Sequence, residues 1–216
     1  MTHAFSAPDI STLATAGSAT SSVAPQSGSV TRSTRETTIR ALLTLDAPTP
    51  AQITTGIGFL DHMLTALASH ARWSLSLTCN GDLHLDDHHT VEDCAIVLGQ
   101  CLDQALADRT NLTRFASAYA PLDDALARAT VDLATRPFAS IDLGLRREMI
   151  GELSCENLPH FFTTFAINAR MTLHIDVLKG INDHHRAEAA FKALAFALRQ
   201  ACTVDTSGSV STKGML

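Results

Sequence analysis

The string Asp-His-His-x-x-Glu occurs twice, as Asp87-His88-His89-Thr90-Val91-Glu92 and as Asp183-His184-His185-Arg186-Ala187-Glu188. Imidazole and carboxylate are ligands for first-row divalent metals. Residues four apart on a helix share one side, so His88 can act with Glu92 and His184 with Glu188. Adjacent helical residues diverge by about 100°. A His-His pair therefore chelates a single ion poorly and more naturally lends one ring to each of two ions. Two further histidines stand in matching contexts, His62 in Leu-Asp-His-Met-Leu and His160 in Leu-Pro-His-Phe-Phe. The set His62, His88, His89, Glu92, His160, His184, His185 and Glu188 divides into two sites of four. Such a donor set suits Mn²⁺, Fe²⁺ or Zn²⁺ better than Ca²⁺ or Mg²⁺.

Asp87 and Asp183 stand where helix N-caps belong, which puts both His pairs in first turns. The helix dipole there disfavours imidazolium and favours the neutral, ligating ring. A single His-His-x-x-Glu reads equally well as an exposed helix start, and His3, His70, His84 and His174 read as ordinary surface or core histidines. The duplication is what favours chemistry. The H-E-x-x-H signature of zincin proteases is absent.

The elements that must hold these residues also repeat. Alternation at Thr37, Ile39, Ala41, Leu43 and Leu45 predicts a strand, and residues 47–52 hold two prolines and read as a turn. Leu60, Met63, Leu64, Leu67 and Ala71 predict a helix. A short strand at 74–78 and an Asn80-Gly81-Asp82 turn follow. After Asp87, Val91, Ala95, Leu98, Leu102 and Ala105 form an apolar helical stripe. The second half predicts strands around 129–133 and 139–143, a helix from Leu158 to about Ala169, a strand over 171–177 and a helix after Asp183. His88 to His184 and Glu92 to Glu188 share one offset, as an internal duplication requires. The expected fold is α+β: a two-layer sandwich of two duplicated half-domains, each a small sheet with two helices on one face. The halves are placed at 32–122 and 123–216, forming one compact domain. Residues 1–31 are Ser, Thr, Ala and Gly text, expected to be a disordered tail rather than a secretory signal.

The 216 residues, 45% hydrophobic, suffice for a substantial core. A net charge of -6 gives no electrostatic case for nucleic acid or anionic membrane. No apolar run approaches the roughly 20 residues of a spanning helix. Five cysteines without C-x-x-C spacing read as free thiols of a reducing, cytoplasmic compartment.

A second group of residues suits an anion. His184, Glu188 and Lys192 form one helical ridge, whereas the first repeat carries Ile96 in place of Lys192. The bland alternative is a Glu188–Lys192 surface pair worth about 0.3–0.5 kcal/mol. Ser211-Thr212-Lys213-Gly214 offers hydroxyls and an ammonium, and otherwise reads as a frayed end. Arg114 and Arg136 flank strand text and could clamp phosphate, although spacing alone does not separate them from surface arginines.

Residues 55–64, 81–93, 157–162 and 182–194, with Arg35-Glu36-Thr37 and Ser211-Thr212-Lys213-Gly214, resemble the imidazoleglycerol-phosphate dehydratase family of histidine biosynthesis. The resemblance covers about residue 32 to 216. It implies a duplicated α+β fold, an assembly of 24 subunits with metal sites at subunit contacts, and two Mn²⁺ per active site held by the eight residues above. It implies substrate contacts at Glu36, Arg114, Arg136, Lys192, Ser211, Thr212 and Lys213, beside His62, His88, Glu92 and His184. Glu36 and Glu188 are the carboxylates available as catalytic acid or base. Val210 departs from the proline usual in the family before the Ser-Thr-Lys turn. The implied reaction removes water from imidazole glycerol phosphate and gives imidazole acetol phosphate. Two other readings stay open on the residues alone: a dinuclear hydrolase of a phosphorylated substrate, and a protein in which the His pairs only bind metal to join subunits.

Overall fold

The computed structural model describes residues 26–107 and 109–205. The first 25 residues of the expected tail, and the Ser211, Thr212 and Lys213 expected at the substrate, lie outside the described residues.

The first half runs β1 (Ser27–Ser33), β2 (Thr37–Thr44), β3 (Gln52–Thr54), α1 (Gly58–Ala71), β4 (Ser74–Gly81) and α2 (His88–Leu106). The second runs β5 (Phe115–Leu122), β6 (Ala125–Asp132), β7 (Phe138–Asp142), the short hairpin β8 (Met149–Ile150) and β9 (Leu153–Ser154), α3 (Asn157–Asn168), β10 (Thr172–Lys179) and α4 (Asp183–Ala201). The two main sheets have the orders β1-β2-β4-β3 and β5-β6-β10-β7, so one topology is used twice. In each half the third strand runs parallel to the strand after the helix, and such a pair needs a crossover, which α1 and α3 provide. Only the second half interposes a hairpin before its crossover helix.

The registers relate the halves residue by residue. Thr44 opposes Ser74, and Asp132 opposes Thr172. Thus β2 corresponds to β6 and β4 to β10. Helix α1 packs on α4 and α2 on α3, while α2 covers β1–β2 and α4 covers β5–β6. The apolar faces of both halves therefore close on each other in one continuous core. Phe161, Phe162, Phe165 and Phe191 fill its middle, with ring centroids 4.5–6.2 Å apart. The predicted stripe Val91, Ala95, Leu98, Leu102 and Ala105 is fully in this core. Cys94, Val97 and Cys101 are buried too, because α2 is covered by a sheet on one side and by α3 on the other. The architecture is the α+β sandwich of duplicated halves that the pattern predicts.

Two boundaries differ from expectation. Residues 27–31, placed in a disordered tail, belong to β1, which pairs antiparallel with β2 along its whole length. Its polar text hides this, since its order comes from ladder hydrogen bonds to β2 and from contact with α2. A Cβ on Gly28 would lie 2.0 Å from the Cys101 carbonyl oxygen, so only glycine lets β1 approach there. The second half also begins before residue 123, because β5 hydrogen-bonds to β6 in the second sheet. Strand β5 was invisible because Ala118 and Ala120 face inward, whereas Phe115 and Tyr119 face solvent. The hairpin β1–β2 is fastened beside Glu92 by buried Asp93, which accepts hydrogen bonds from Arg32 Nε (3.0 Å) and the Thr37 hydroxyl. Among the described residues no helix is long and apolar enough to cross a membrane.

Candidate metal centre

The pairings α1–α4 and α2–α3 decide where the candidate ligand side chains meet. His62 from α1 faces His184 and Glu188 from α4, and His88 and Glu92 from α2 face His160 from α3. Within each triad the possible ligand atoms all lie within 4.8 Å of one another. Each triad draws residues from both halves, and the two correspond under the duplication.

In the first triad the Nε2 atoms of His62 and His184 lie 3.2 and 3.3 Å from Glu188 Oε2. Phe59 packs edge-on to His184, with ring centroids 5.0 Å apart, and limits its rotation. Lys192 Nζ reaches Glu188 Oε1 at 2.7 Å, with both side chains largely buried. Burial alone would raise the Glu188 carboxyl, but hydrogen bonds from Lys192 and His62 outweigh it and hold the group below its ordinary range. Glu188 is therefore an anion placed among nitrogens. In the second triad His160 Nε2 lies 3.1 Å from Glu92 Oε1, and the His88 and His160 rings stack at 4.9 Å. His88 Nδ1 lies 3.0 Å from Asn157 Oδ1, which leaves Nε2 as the atom with a free lone pair.

Neither Asp87 nor Asp183 caps its helix as expected. The side chain with the N-terminal role belongs to the preceding residue: Asn182 Oδ1 accepts from His184 N at 2.9 Å, and Asp86 Oδ1 accepts from Asp87 N and more weakly from His88 N. Asp87 and Asp183 instead turn inward and fasten loops of the second half. Asp87 accepts from Ser154 N (2.6 Å), Ser154 Oγ (2.9 Å) and Asn157 Nδ2 (2.9 Å). Asp183 Oδ2 accepts from the backbone N–H groups of Arg146 and Arg147 at 2.8 and 2.7 Å. The helix start is thus spent on long-range contacts that local sequence cannot reveal.

The adjacent rings diverge as helix geometry requires. The His88–His89 and His184–His185 rings are nearly perpendicular, at 77° and 83°. One member of each pair joins a triad. His89 and His185 do not, so within one chain the eight expected ligands form two groups of three plus two separate histidines. His89 Nδ1 sits 3.0 Å from Asp82 Oδ2, and its Nε2 is 3.7 Å from Glu36 Oε1. His185 Nδ1 sits 2.6 Å from Asp124 Oδ1, and its Nε2 is 3.5 Å from Asp123 Oδ2. The hydrogen bond to Asp82 raises the pKa of His89, against the neutral ring that the helix dipole alone favours. A carboxylate in contact outweighs a partial charge shared across a helix end.

The expected phosphate residues are dispersed. Lys192 stands beside the first triad. The Arg114 backbone N–H donates to Ala201 O at the far end of α4, roughly 25 Å along the axis from His184. The Arg114 side chain is buried against Phe115 and donates to Asp132 at 2.8 and 3.3 Å. Arg136 is mostly exposed and lies 3.8 Å from the same Asp132. Sequence reasoning missed Asp82, Asp123, Asp124 and the role of Asn157. Asp82 read as turn punctuation, and Asp123–Asp124 lie in the β5–β6 turn, whose first strand was not recognised.

A family model described as imidazoleglycerol-phosphate dehydratase matches residues 55–198. The chain is 59% identical over 165 residues to the Kluyveromyces lactis imidazoleglycerol-phosphate dehydratase, covering 76% of this chain and 75% of that one. The crystal structure of the Staphylococcus aureus imidazoleglycerol-phosphate dehydratase is similar at a TM-score of 0.75 and 38% identity, covering 82% of this chain and 99% of that chain. A Pyrococcus furiosus structure from the same family is similar at 0.75 and 37%, with 87% and 100% covered.

Proposed function

The chain belongs to the imidazoleglycerol-phosphate dehydratase family, a family of lyases in histidine biosynthesis, and on that premise we propose that it is a metal-dependent dehydratase converting imidazole glycerol phosphate to imidazole acetol phosphate and water. The observation that carries the metal dependence is the pair of His₂Glu triads, in which three imidazole Nε2 atoms face carboxylate oxygens at 3.1–3.3 Å. This donor chemistry fits Mn²⁺. His62, His184 and Glu188 would hold one ion, and His88, Glu92 and His160 would hold the other.

A triad leaves coordination positions open, while His89 and His185 have no triad in their own chain. We infer that each completes the triad of a neighbouring copy in an assembly of 24 subunits. The same arrangement accounts for Arg114 and Arg136, which stand too far along α4 to meet a substrate held by the triads of their own chain. In this reading they reach the phosphate from a neighbour, with Lys192 supplying a cation beside the first triad.

When bound, two Mn²⁺ supply Lewis acidity that favours the deprotonated substrate ring. The protein must then move protons along the glycerol chain: a hydroxyl departs from the carbon next to the ring as water, a proton leaves the adjacent carbon, and the resulting enol becomes the ketone. Glu188 is occupied by two imidazoles and Lys192, so it serves as ligand. Glu36 is half exposed, at 51%, and accompanies His89 to the shared site. It is the carboxylate free to carry the proton. Arginines and lysine gripping the phosphate orient the chain and supply remote binding energy.

The test is incubation of metal-free, EDTA-dialysed protein with imidazole glycerol phosphate, with and without Mn²⁺, while ketone and inorganic phosphate are both followed. Ketone appearing only with Mn²⁺ supports the reading. Full ketone formation without metal removes the metal dependence, and release of phosphate favours the hydrolase reading.

A further inference from the structure

His89 and His185 stand apart from the triads, yet neither ring is free to turn. His89 Nδ1 contacts both oxygens of Asp82, at 3.0 and 3.2 Å, and the Asp82 side chain is only 12% exposed. His185 Nδ1 contacts Asp124 Oδ1 at 2.6 Å. Asp124 is itself held, because its Oδ2 accepts from the backbone N–H groups of Ile181 and Asn182 just before α4. Both histidines thus have Nδ1 against an oriented carboxylate, and on both the opposite nitrogen lies 3.5–3.7 Å from a second carboxylate, Glu36 or Asp123.

These partners do not descend from one duplicated position. Since β2 corresponds to β6, Glu36, one residue before β2, corresponds to Asp124, one residue before β6. Glu36 stands on the Nε2 side of His89, whereas Asp124 stands on the Nδ1 side of His185. The Nδ1 partner of His89 comes from after β4, at Asp82, where the second half has Gly180 directly after β10. The two halves reach the same arrangement from non-equivalent loops. A demand on the ring itself, rather than inheritance of a loop, explains that outcome.

Resting on the reading above that His89 and His185 are ligands, we propose that Asp82 and Asp124 are positioning residues that fix these two rings as the Nδ1–H tautomer and so present Nε2 to the metal. A carboxylate accepts only, so the nitrogen against it must carry the hydrogen, and the lone pair falls on the other nitrogen. The same contact sets the ring plane and raises ligand basicity. An asparagine in place of Asp124 keeps its oxygen with the Ile181 and Asn182 N–H groups, so its NH₂ faces Nδ1 and selects the opposite tautomer, whose Nε2–H cannot ligate; in place of Asp82 it removes the charge that favours Nδ1–H and raises the ring's basicity.

The experiment measures Mn²⁺ alone, as bound ion per chain by elemental analysis and as affinity by titration, on the full chain. The variants are Asp82→Asn, Asp124→Asn, Asp82→Glu and Asp124→Glu, with His89→Ala and His185→Ala as reference. The Asn variants should bind Mn²⁺ about 10–100-fold more weakly, with far-ultraviolet circular dichroism unchanged and with the Glu variants recovering most of the loss. Asn variants that bind Mn²⁺ as tightly as the parent, while the Ala variants lose it, overturn the proposal and leave the ligand reading standing. Ala variants that keep full Mn²⁺ binding overturn the ligand reading itself. Should an Asn variant fail to fold, the Glu variant decides: near-parental affinity supports the positioning role, and a loss equal to that of the Ala variant overturns it.

Discussion

Substitution of Asp87 by asparagine tests whether the tautomer of His88 is set at a distance. The Asp87 carboxylate is nearly buried and accepts three hydrogen bonds, from Ser154 N on Oδ2 and from Ser154 Oγ and Asn157 Nδ2 on Oδ1. An amide cannot replace it in either orientation. With its oxygen at the Oδ1 position, its NH₂ meets the Ser154 backbone N–H across a 2.6 Å gap, a donor against a donor that cannot rotate away. With its oxygen at the Oδ2 position, the Ser154 hydroxyl can rotate to accept, and Asn157 can turn its carbonyl toward the new NH₂. The second arrangement costs less, but Asn157 then presents NH₂ to His88 Nδ1, now 3.0 Å from its Oδ1. The imidazole must move its hydrogen to Nε2 and lose its ligating lone pair. Bonds to a charged acceptor contribute about 1.5–3 kcal/mol each, and most contacts survive here in neutral form, so the stability loss should be about 1–3 kcal/mol. The larger effect should fall on the metal, with Mn²⁺ affinity about 10–100-fold lower at the His88 triad only. Urea unfolding of the metal-free protein reads the first quantity and Mn²⁺ titration the second. Ser154→Ala is the control, since it removes one hydroxyl and leaves the Asp87–Asn157 bond intact. A destabilised Asp87→Asn protein with parental Mn²⁺ affinity at every site would refute the relay from Asp87 through Asn157 to His88.

His88→Ala and His184→Ala should each remove metal and activity together, and unchanged metal on elemental analysis would count against the ligand assignment. Gly99→Ala should destabilise the fold by about 1–3 kcal/mol in urea unfolding, because its Cβ would lie 2.7–2.9 Å from Asn168 Cβ, Phe165 O and Ala169 N where α2 crosses α3; a stability within about 0.5 kcal/mol of the parent would mean that this crossing yields easily. All five cysteines are buried, and burial pushes the Cys101 and Cys202 thiols up to about 11 and about 12. An aromatic disulfide reagent at neutral pH should therefore label the native protein slowly and all five thiols once it is unfolded.

The duplicated Asp-His-His-x-x-Glu, read with helical spacing, was enough to single out the imidazoles and carboxylates that gather, and to predict the divergence of adjacent rings and the doubling of the fold. Those properties depend on residue chemistry and on the 3.6-residue period, both local. Apolar alternation likewise placed β2, β6, β7 and β10 and the buried stripe of α2. Polar β1 and alanine-lined β5 escaped, since their order is conferred by neighbouring strands and helices. The tertiary structure alone decided which of these side chains meet. Packing of α1 on α4 and of α2 on α3 builds each triad from both halves, and carboxylates from the loop after β4 and from the β5–β6 turn hold His89 and His185. Asp87 and Asp183, whose local text marks helix caps, became fasteners of distant loops for the same reason. A side chain's type is written in the chain, whereas its partner is whatever the closing of two apolar faces brings within three ångströms.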